Sequence, residues 1–290
     1  MHATGHLHLP LGPSLNELFV LTIDGVSYLG RKRANAQGQT SSCLAPSMLL
    51  GRLLSARWMD QGLRCQFSNL SEQASRVLFR QAQGAAQSDI HFPFPLVDDR
   101  GQEQISPAAF WDDTERLAGV LDSQETHFRQ RCIEYLRQHV AKDAVIYDPA
   151  CSTGTFIGAL AHALPDAVCI GTDLSARMIE HARHHNPQPN LGFQVADAQS
   201  PVMAAASCDV LVLRFLNAEV MPRQQAVALF HRLIRLIKPG GVISLFGHTP
   251  VLFAVPAEAA RAGLRVLRSL GCIPGSDELF QFYLLEHRAS

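Results

Sequence analysis

Three carboxylates stand at the ends of apolar runs in the second half of the chain: Asp148 closes AVIYD, Asp173 closes AVCIGTD and Asp197 closes LGFQVAD. A run of β-branched and aromatic residues ending in Asp reads as a buried strand that delivers a charged acceptor to its tip. Between the first run and the next helical pattern lies DPACSTG, a turn of small residues from Asp148 to Gly154. Small side chains let a ligand approach the backbone closely, and Gly154 permits the tightest approach. A pyrophosphate loop would set bare amides and a helix N-terminus against two negative charges, and an Asp at the turn would oppose them. Asp148 suits instead a cationic ligand end, such as an α-ammonium held directly or through water. Asp173 can accept hydrogen bonds from both hydroxyls of a ribose, and Asp197 can take an adenine amino proton.

Carboxylates so far apart in sequence meet only if strands and helices alternate around one sheet. From Ala144 onward they do: AVIYD, AVCIGTD, LGFQVAD, CDVLVLRF, GVISLFG and LFQFYLLEH are separated by helical patterns over about 153–164, 175–185, 223–237 and 257–270. The strands are continuously apolar rather than alternating, hence buried on both faces, as in a parallel sheet covered by helices. The fold class is α/β, doubly wound. Leu229, Leu233, Leu236 and Ile237 give the helix before KPGG one apolar stripe, and Gly240 and Gly241 end it. Residues 121–290 form this domain. Residues 1–120 are expected to be an α-rich N-terminal cap and substrate region, because LAPSMLLGRLLSARWMDQG and SEQASRVLFRQAQGA have helical spacing. ELFVLTIDGVSYLG is expected to be a β-hairpin around Asp24 and Gly25.

Composition excludes several classes. The chain has 290 residues, 47% of them hydrophobic, and a net charge of −1. That balance supplies no positive field for nucleic acid or an anionic membrane surface. Seven cysteines, odd in number and without a C-x-x-C pair, argue against a disulfide framework and a zinc site and place the protein in a reduced cytoplasm. No secretory signal or membrane span is readable. His2, His6 and His8 invite a metal, but no carboxylate or cysteine completes a shell nearby, so the expectation is a frayed, solvated tail and no metal.

From about Asp122 to His287 the chain resembles the class I S-adenosylmethionine-dependent methyltransferase superfamily. Its first motif, acidic-x-G-x-G-x-G, stands here as DPACSTG, with Ala150 and Ser152 in two glycine positions and Gly154 retained. Similar Asp-Pro-Ala-Cys turns occur in nucleobase N-methyltransferases of that superfamily. The resemblance implies a Rossmann-like, mostly parallel seven-stranded sheet and S-adenosylmethionine as cosubstrate. It implies that Asp148, Ala150, Cys151 and Gly154 line the methionine end, Asp173 the ribose, Leu174 and Met178 one adenine edge, and Asp197 with Ala198 the other, with Phe215 also at the cofactor. Acceptor chemistry would follow the fourth strand, where LRFLNAEV offers Arg214 and Asn217 as catalytic candidates. Nucleobase amino methylation would require (Asp/Asn)-Pro-Pro-aromatic there, so nucleic acid is disfavoured by motif as well as by charge. His248, in FGHTP, is a candidate general base. Tyr28, Phe110 and Trp111 are candidates for a substrate site or lid, their ring faces suited to a sulfonium.

Three functions fit these residues. The leading one is in-line methyl transfer to a nucleophilic N, O or C atom of a small molecule. DPACSTGTF, GTDLS and RFLNAEV, with FWDDTERLAGVLDSQE upstream, also resemble enzymes that cyclise S-adenosylmethionine into azetidine-2-carboxylate, the amine attacking the γ-carbon and methylthioadenosine leaving. That chemistry needs a neutral amine, and an Asp148 held directly against it counts against the reading. A noncatalytic binding or scaffold protein with a degenerate pocket is the third. The reading leaves room for a homodimer.

Overall fold

The computed structural model describes residues 3–32, 42–85 and 87–288. The chain divides into two compact units, one of Met1–Gln104, Thr249–Ala254 and Ser269–Gln281, the other of Ile105–His248, Val255–Arg268 and Phe282–Ser290.

The first unit is built on strands, which corrects the expected α-rich character of the N-terminal region. Its elements are β1 (Thr4–Pro10), β2 (Leu18–Ile23), β3 (Val26–Arg31), β4 (Leu49–Met59), β5 (Gly62–Asn69), α1 (Glu72–Gly84) and β6 (Ser88–His91). Among the described residues the six strands form one sheet in the order β1-β5-β4-β3-β2-β6, every neighbouring pair antiparallel. LLGRLLSARWM, read above as helical, is β4. Leu49 with Leu53 and Leu50 with Leu54 stand four apart, a separation that shares one face in a helix and in a strand alike, and pairing with β3 and β5 on either side selects the extended form. The expected β2–β3 hairpin is present, with Asp24 and Gly25 at φ 48° and 81° as a two-residue turn requires. The N-terminal stretch is an edge strand rather than a frayed tail. Leu7 and Leu9 alternate toward the Leu18, Leu29 and Phe67 core, and His6 and His8 alternate outward. His2 lies outside the described residues.

The second unit carries α2 (Ala108–Trp111), α3 (Thr114–His139), β7 (Val145–Asp148), α4 (Thr155–Ala163), β8 (Val168–Asp173), α5 (Ala176–His185), β9 (Leu191–Val195), β10 (Cys208–Leu213), α6 (Arg223–Leu233), β11 (Ile237–Leu245) and α7 (Val255–Arg261); β12 (Leu264–Cys272) and β13 (Leu279–His287) complete its sheet. The strand order is β12-β13-β11-β10-β7-β8-β9. From β9 through β8, β7 and β10 to β11 the pairs are parallel, and β13 runs antiparallel to β11. This is the Rossmann-like, mostly parallel seven-stranded sheet expected. Its centre, including Ile146, Tyr147, Val210, Leu211 and Ile243, is shut off from solvent. The helix read over 257–270 ends earlier: Gly263, at φ 72°, turns the chain into β12, which is held extended beside β13.

The chain order reverses between β7 and β10. In open parallel sheets the crevice beyond that switch point is where ligands bind.

Candidate active site

The site is assembled at the carboxyl ends of β7, β8 and β10. β7 delivers Asp148, and the chain then bends through Ser152 at φ 50° and Gly154 at φ 76° before α4 begins. Two backbone N–H groups hold Asp173 at the tip of β8: Ser152 donates to one carboxylate oxygen and Ser175 to the other, each at 2.9 Å. Burial, more than any neighbouring charge, raises the Asp173 carboxyl above its ordinary range. Ser175 caps α5 by accepting the Met178 N–H.

A cavity of about 270 Å3 opens here, lined on the loop side by Pro149, Ala150 and Ser152 and on the β8 side by Asp173, Leu174 and Met178. Asp197, Ala198 and Gln199 follow β9, and Arg214 and Phe215 follow β10. Trp111, His248 and Glu125 complete the part of the wall that matters chemically. Leu174 is 73% exposed and stands on the cavity wall, where it offers apolar surface to a ligand. Trp111 packs edge-on against Phe110 at 4.7 Å and against His248 at 6.2 Å between ring centroids.

Of the residues singled out from sequence, the structure brings Ala150, Asp173, Leu174, Met178, Asp197, Ala198, Arg214, Phe215, His248 and Trp111 to this wall. Asp148, Cys151, Gly154, Asn217 and Phe110 are not on it. Asp148 is fully buried beneath it. Cys151 is also buried, its carbonyl accepting from Arg214, and burial pushes its thiol pKa up, which makes it unreactive. At Gly154 a β-carbon would lie 2.7 Å from Cβ of Ala182 and 2.8 Å from the ring of Phe193, so the glycine serves the packing of the loop on α5 and β9. Asn217 is buried, and its carbonyl accepts from Val220 and Met221. Tyr28 belongs to the antiparallel unit, on β3.

Arg214 organises the floor. Its Nε donates to Asp148 at 3.3 Å, Nη1 to both oxygens of Glu125 at 2.5 and 2.6 Å, and Nη2 to the Cys151 carbonyl at 2.8 Å. The other oxygen of Asp148 accepts the Ala150 N–H at 3.2 Å. Burial pushes Asp148 up to about 6, although Arg214 pulls the other way. Burial also works against the Arg214 charge, but Glu125 and Asp148 outweigh it and hold the guanidinium protonated. His248 is pushed down to about 4, first by burial and then by Arg214, so it is neutral at physiological pH.

Glu125 closes the stretch FWDDTERLAGVLDSQE but is not among the site residues singled out from sequence. One signal was available: Glu125 lies on the face of α3 that buries Phe128, Cys132 and Leu136, and a carboxylate in an apolar stripe demands a partner.

Comparisons with known proteins agree with this geometry. A methyltransferase-domain family model matches residues 146–241. The chain belongs to the class I S-adenosylmethionine-dependent methyltransferase superfamily. It is 30% identical to isonocardicin synthase of Nocardia uniformis subsp. tsuyamanensis over 280 residues, 93% of this chain and 91% of that protein. Two further relatives align over less than half the chain. The ubiquinone/menaquinone biosynthesis C-methyltransferase UbiE of Syntrophotalea carbinolica is 31% identical over 41% of this chain and 48% of that protein. The trans-aconitate 2-methyltransferase of an Azoarcus species is 29% identical over 47% of this chain and 49% of that protein. The protein is therefore an enzyme, an S-adenosylmethionine-dependent transferase, with S-adenosylmethionine as cosubstrate. The residues present suit that ligand: an acceptor at the tip of β8, an exposed leucine beside it, and small residues where the loop meets the cavity. Among the described residues no helix is long and apolar enough to cross a membrane.

Proposed function

We propose that the enzyme acts on the carboxypropyl arm of S-adenosylmethionine rather than on its methyl group, closing the α-amine onto the γ-carbon to give azetidine-2-carboxylate and methylthioadenosine. The observation that carries this reading is the placement of Asp148. A carboxylate open to the cavity would hold the substrate amine as ammonium, which has no lone pair with which to attack. Here that carboxylate lies beneath the wall, its oxygens bonded to Ala150 and Arg214, and the wall shows a paired Arg214 and Glu125 instead. That placement supports cyclisation, against which a free Asp148 would count.

In this reaction the ammonium first releases a proton to solvent. The nitrogen lone pair then forms the N–C bond as the γ-carbon–sulfur bond breaks, the sulfur keeps the bonding pair as a neutral thioether, and the nitrogen emerges as a secondary ammonium. The protein's work is to fold the chain so that nitrogen, γ-carbon and sulfur approach a line. Asp173 holds the ribose, Leu174 and Met178 cover one adenine edge, and Asp197 with Ala198 meets the other. The name of the relative that spans nearly the whole chain, a synthase rather than a methyltransferase, supports a departure from methyl transfer.

Methyl transfer to a small molecule is the second reading, favoured by a neutral His248 on the wall, which could take a proton from a protic acceptor. Incubation of the purified protein with S-adenosylmethionine alone, followed by mass spectrometry, separates the two. Methylthioadenosine with a four-membered cyclic amino acid is the expected result. S-adenosylhomocysteine, or turnover only when an acceptor is added, would overturn it.

A further inference from the structure

We propose that Glu125 is a positioning residue that sets the charge of the methionine-end wall: by fixing and neutralising Arg214 it lets the cavity accept a sulfonium while offering the substrate amine no counter-ion. This rests on the cyclisation reading and names the residue on which that reading turns.

The geometry is specific. Both Glu125 oxygens converge on one nitrogen of Arg214 at 2.5 and 2.6 Å, against 3.3 Å for the Asp148 contact, so Glu125 dominates the placement of the guanidinium. Glu125 and Arg214 are 3% and 6% exposed, yet both reach the cavity wall. At that depth a lone guanidinium would repel the sulfonium, and a lone carboxylate would trap the amine as ammonium. Together they cancel on the wall, and the remaining carboxylate of the cluster, Asp148, lies off it, bonded to Ala150 and Arg214. Among the described residues the other titratable groups on or beneath the wall are Asp148, Cys151, Asp173, Asp197 and His248.

The test uses the full chain and two unreactive ligands in calorimetry: S-adenosylhomocysteine, which has the amine but no sulfonium, and sinefungin, which carries a cation in place of it. For the wild type, S-adenosylhomocysteine binding should release close to one proton, measured in buffers of different ionisation enthalpy. Its affinity should increase as pH rises, by up to about tenfold per unit, until the pKa of the free amine is reached. Glu125→Gln should lower sinefungin affinity about tenfold more than S-adenosylhomocysteine affinity. Arg214→Gln should abolish the proton release. Equal losses for both ligands in Glu125→Gln would reduce the pair to a structural ion pair and overturn the proposal. Absence of proton release in the wild type would overturn it without any variant, should the variants not fold. Methylthioadenosine formation by a wild type that releases no proton would sink the role of Glu125 and leave cyclisation standing. S-adenosylhomocysteine as product would sink cyclisation itself.

Discussion

The hairpin that joins β2 to β3 and the loop that joins β7 to α4 both bend through two residues of positive φ, but they use different residues. The hairpin has Asp24 and Gly25, types that enter the left-handed region readily, and a β-carbon added at Gly25 would meet nothing within 4 Å. The site loop has Ser152 and Gly154, with serine in a conformation that an L residue with a β-carbon adopts at some cost. Ser152 is held there because its N–H must reach Asp173. The same contrast extends to charge. In the antiparallel unit Arg80 pairs with Asp277 at the surface, whereas the parallel unit buries Glu125, Asp148 and Arg214 together. One region places its special backbone and ion pairs where water can relax them; the other confines them at the strand tips, where they act on a ligand.

The largest effect expected from breaking this contrast is on the buried triad. Glu125→Ala leaves an under-compensated buried guanidinium and should cost about 3–5 kcal/mol in urea unfolding. Arg80→Ala should leave the midpoint nearly unchanged, and comparable losses for the two would contradict the distinction.

Next in size is pH dependence. The Asp148 pKa is raised from 3.8 to about 6, so its contribution is complete below about pH 4 and is lost as pH rises through 6. The His248 pKa is lowered from 6.5 to about 4, so its contribution is present above 6.5 and is lost as pH falls through 4. At about 1.4 kcal/mol per pH unit, each is worth up to about 3 kcal/mol, and the two oppose each other across the same window. His248→Gln should therefore make stability fall as pH rises from 4 to 6, and Asp148→Asn should make it rise. Unfolding midpoints with the wild-type slope in both variants would refute the account.

The remaining effects are at the glycines. Gly154→Ala combines a left-handed φ with contacts under 3.0 Å and should cost roughly 2–4 kcal/mol, whereas Gly25→Ala should cost only about 1 kcal/mol. Thermal melts that rank them the other way would show the site loop to be the more forgiving turn.

The parallel sheet was legible because short, continuously apolar runs such as CDVLVL alternate with helical patterns, and Asp148, Asp173 and Asp197, at or just past the tips of β7, β8 and β9, mark the ligand side. β4 was not, since LLGRLL fits two periods and only its neighbours decide between them. The site divided along the same line. Asp173 and Leu174 follow from local position, but whether Asp148 faces a ligand or a guanidinium depends on Arg214, 66 residues later. The Glu125–Arg214 pair spans 89 residues, a separation at which spacing carries no information.

Leu174 stands at the rim of the cavity with nearly three-quarters of its surface in water. Covering it with a ligand ring releases the water ordered over that side chain, so association should carry a negative heat-capacity change and grow more exothermic on warming. The grip on the ligand's aromatic end is thus set largely by solvent, whereas its methionine end is governed by fixed charges, and temperature should tune the first far more than the second.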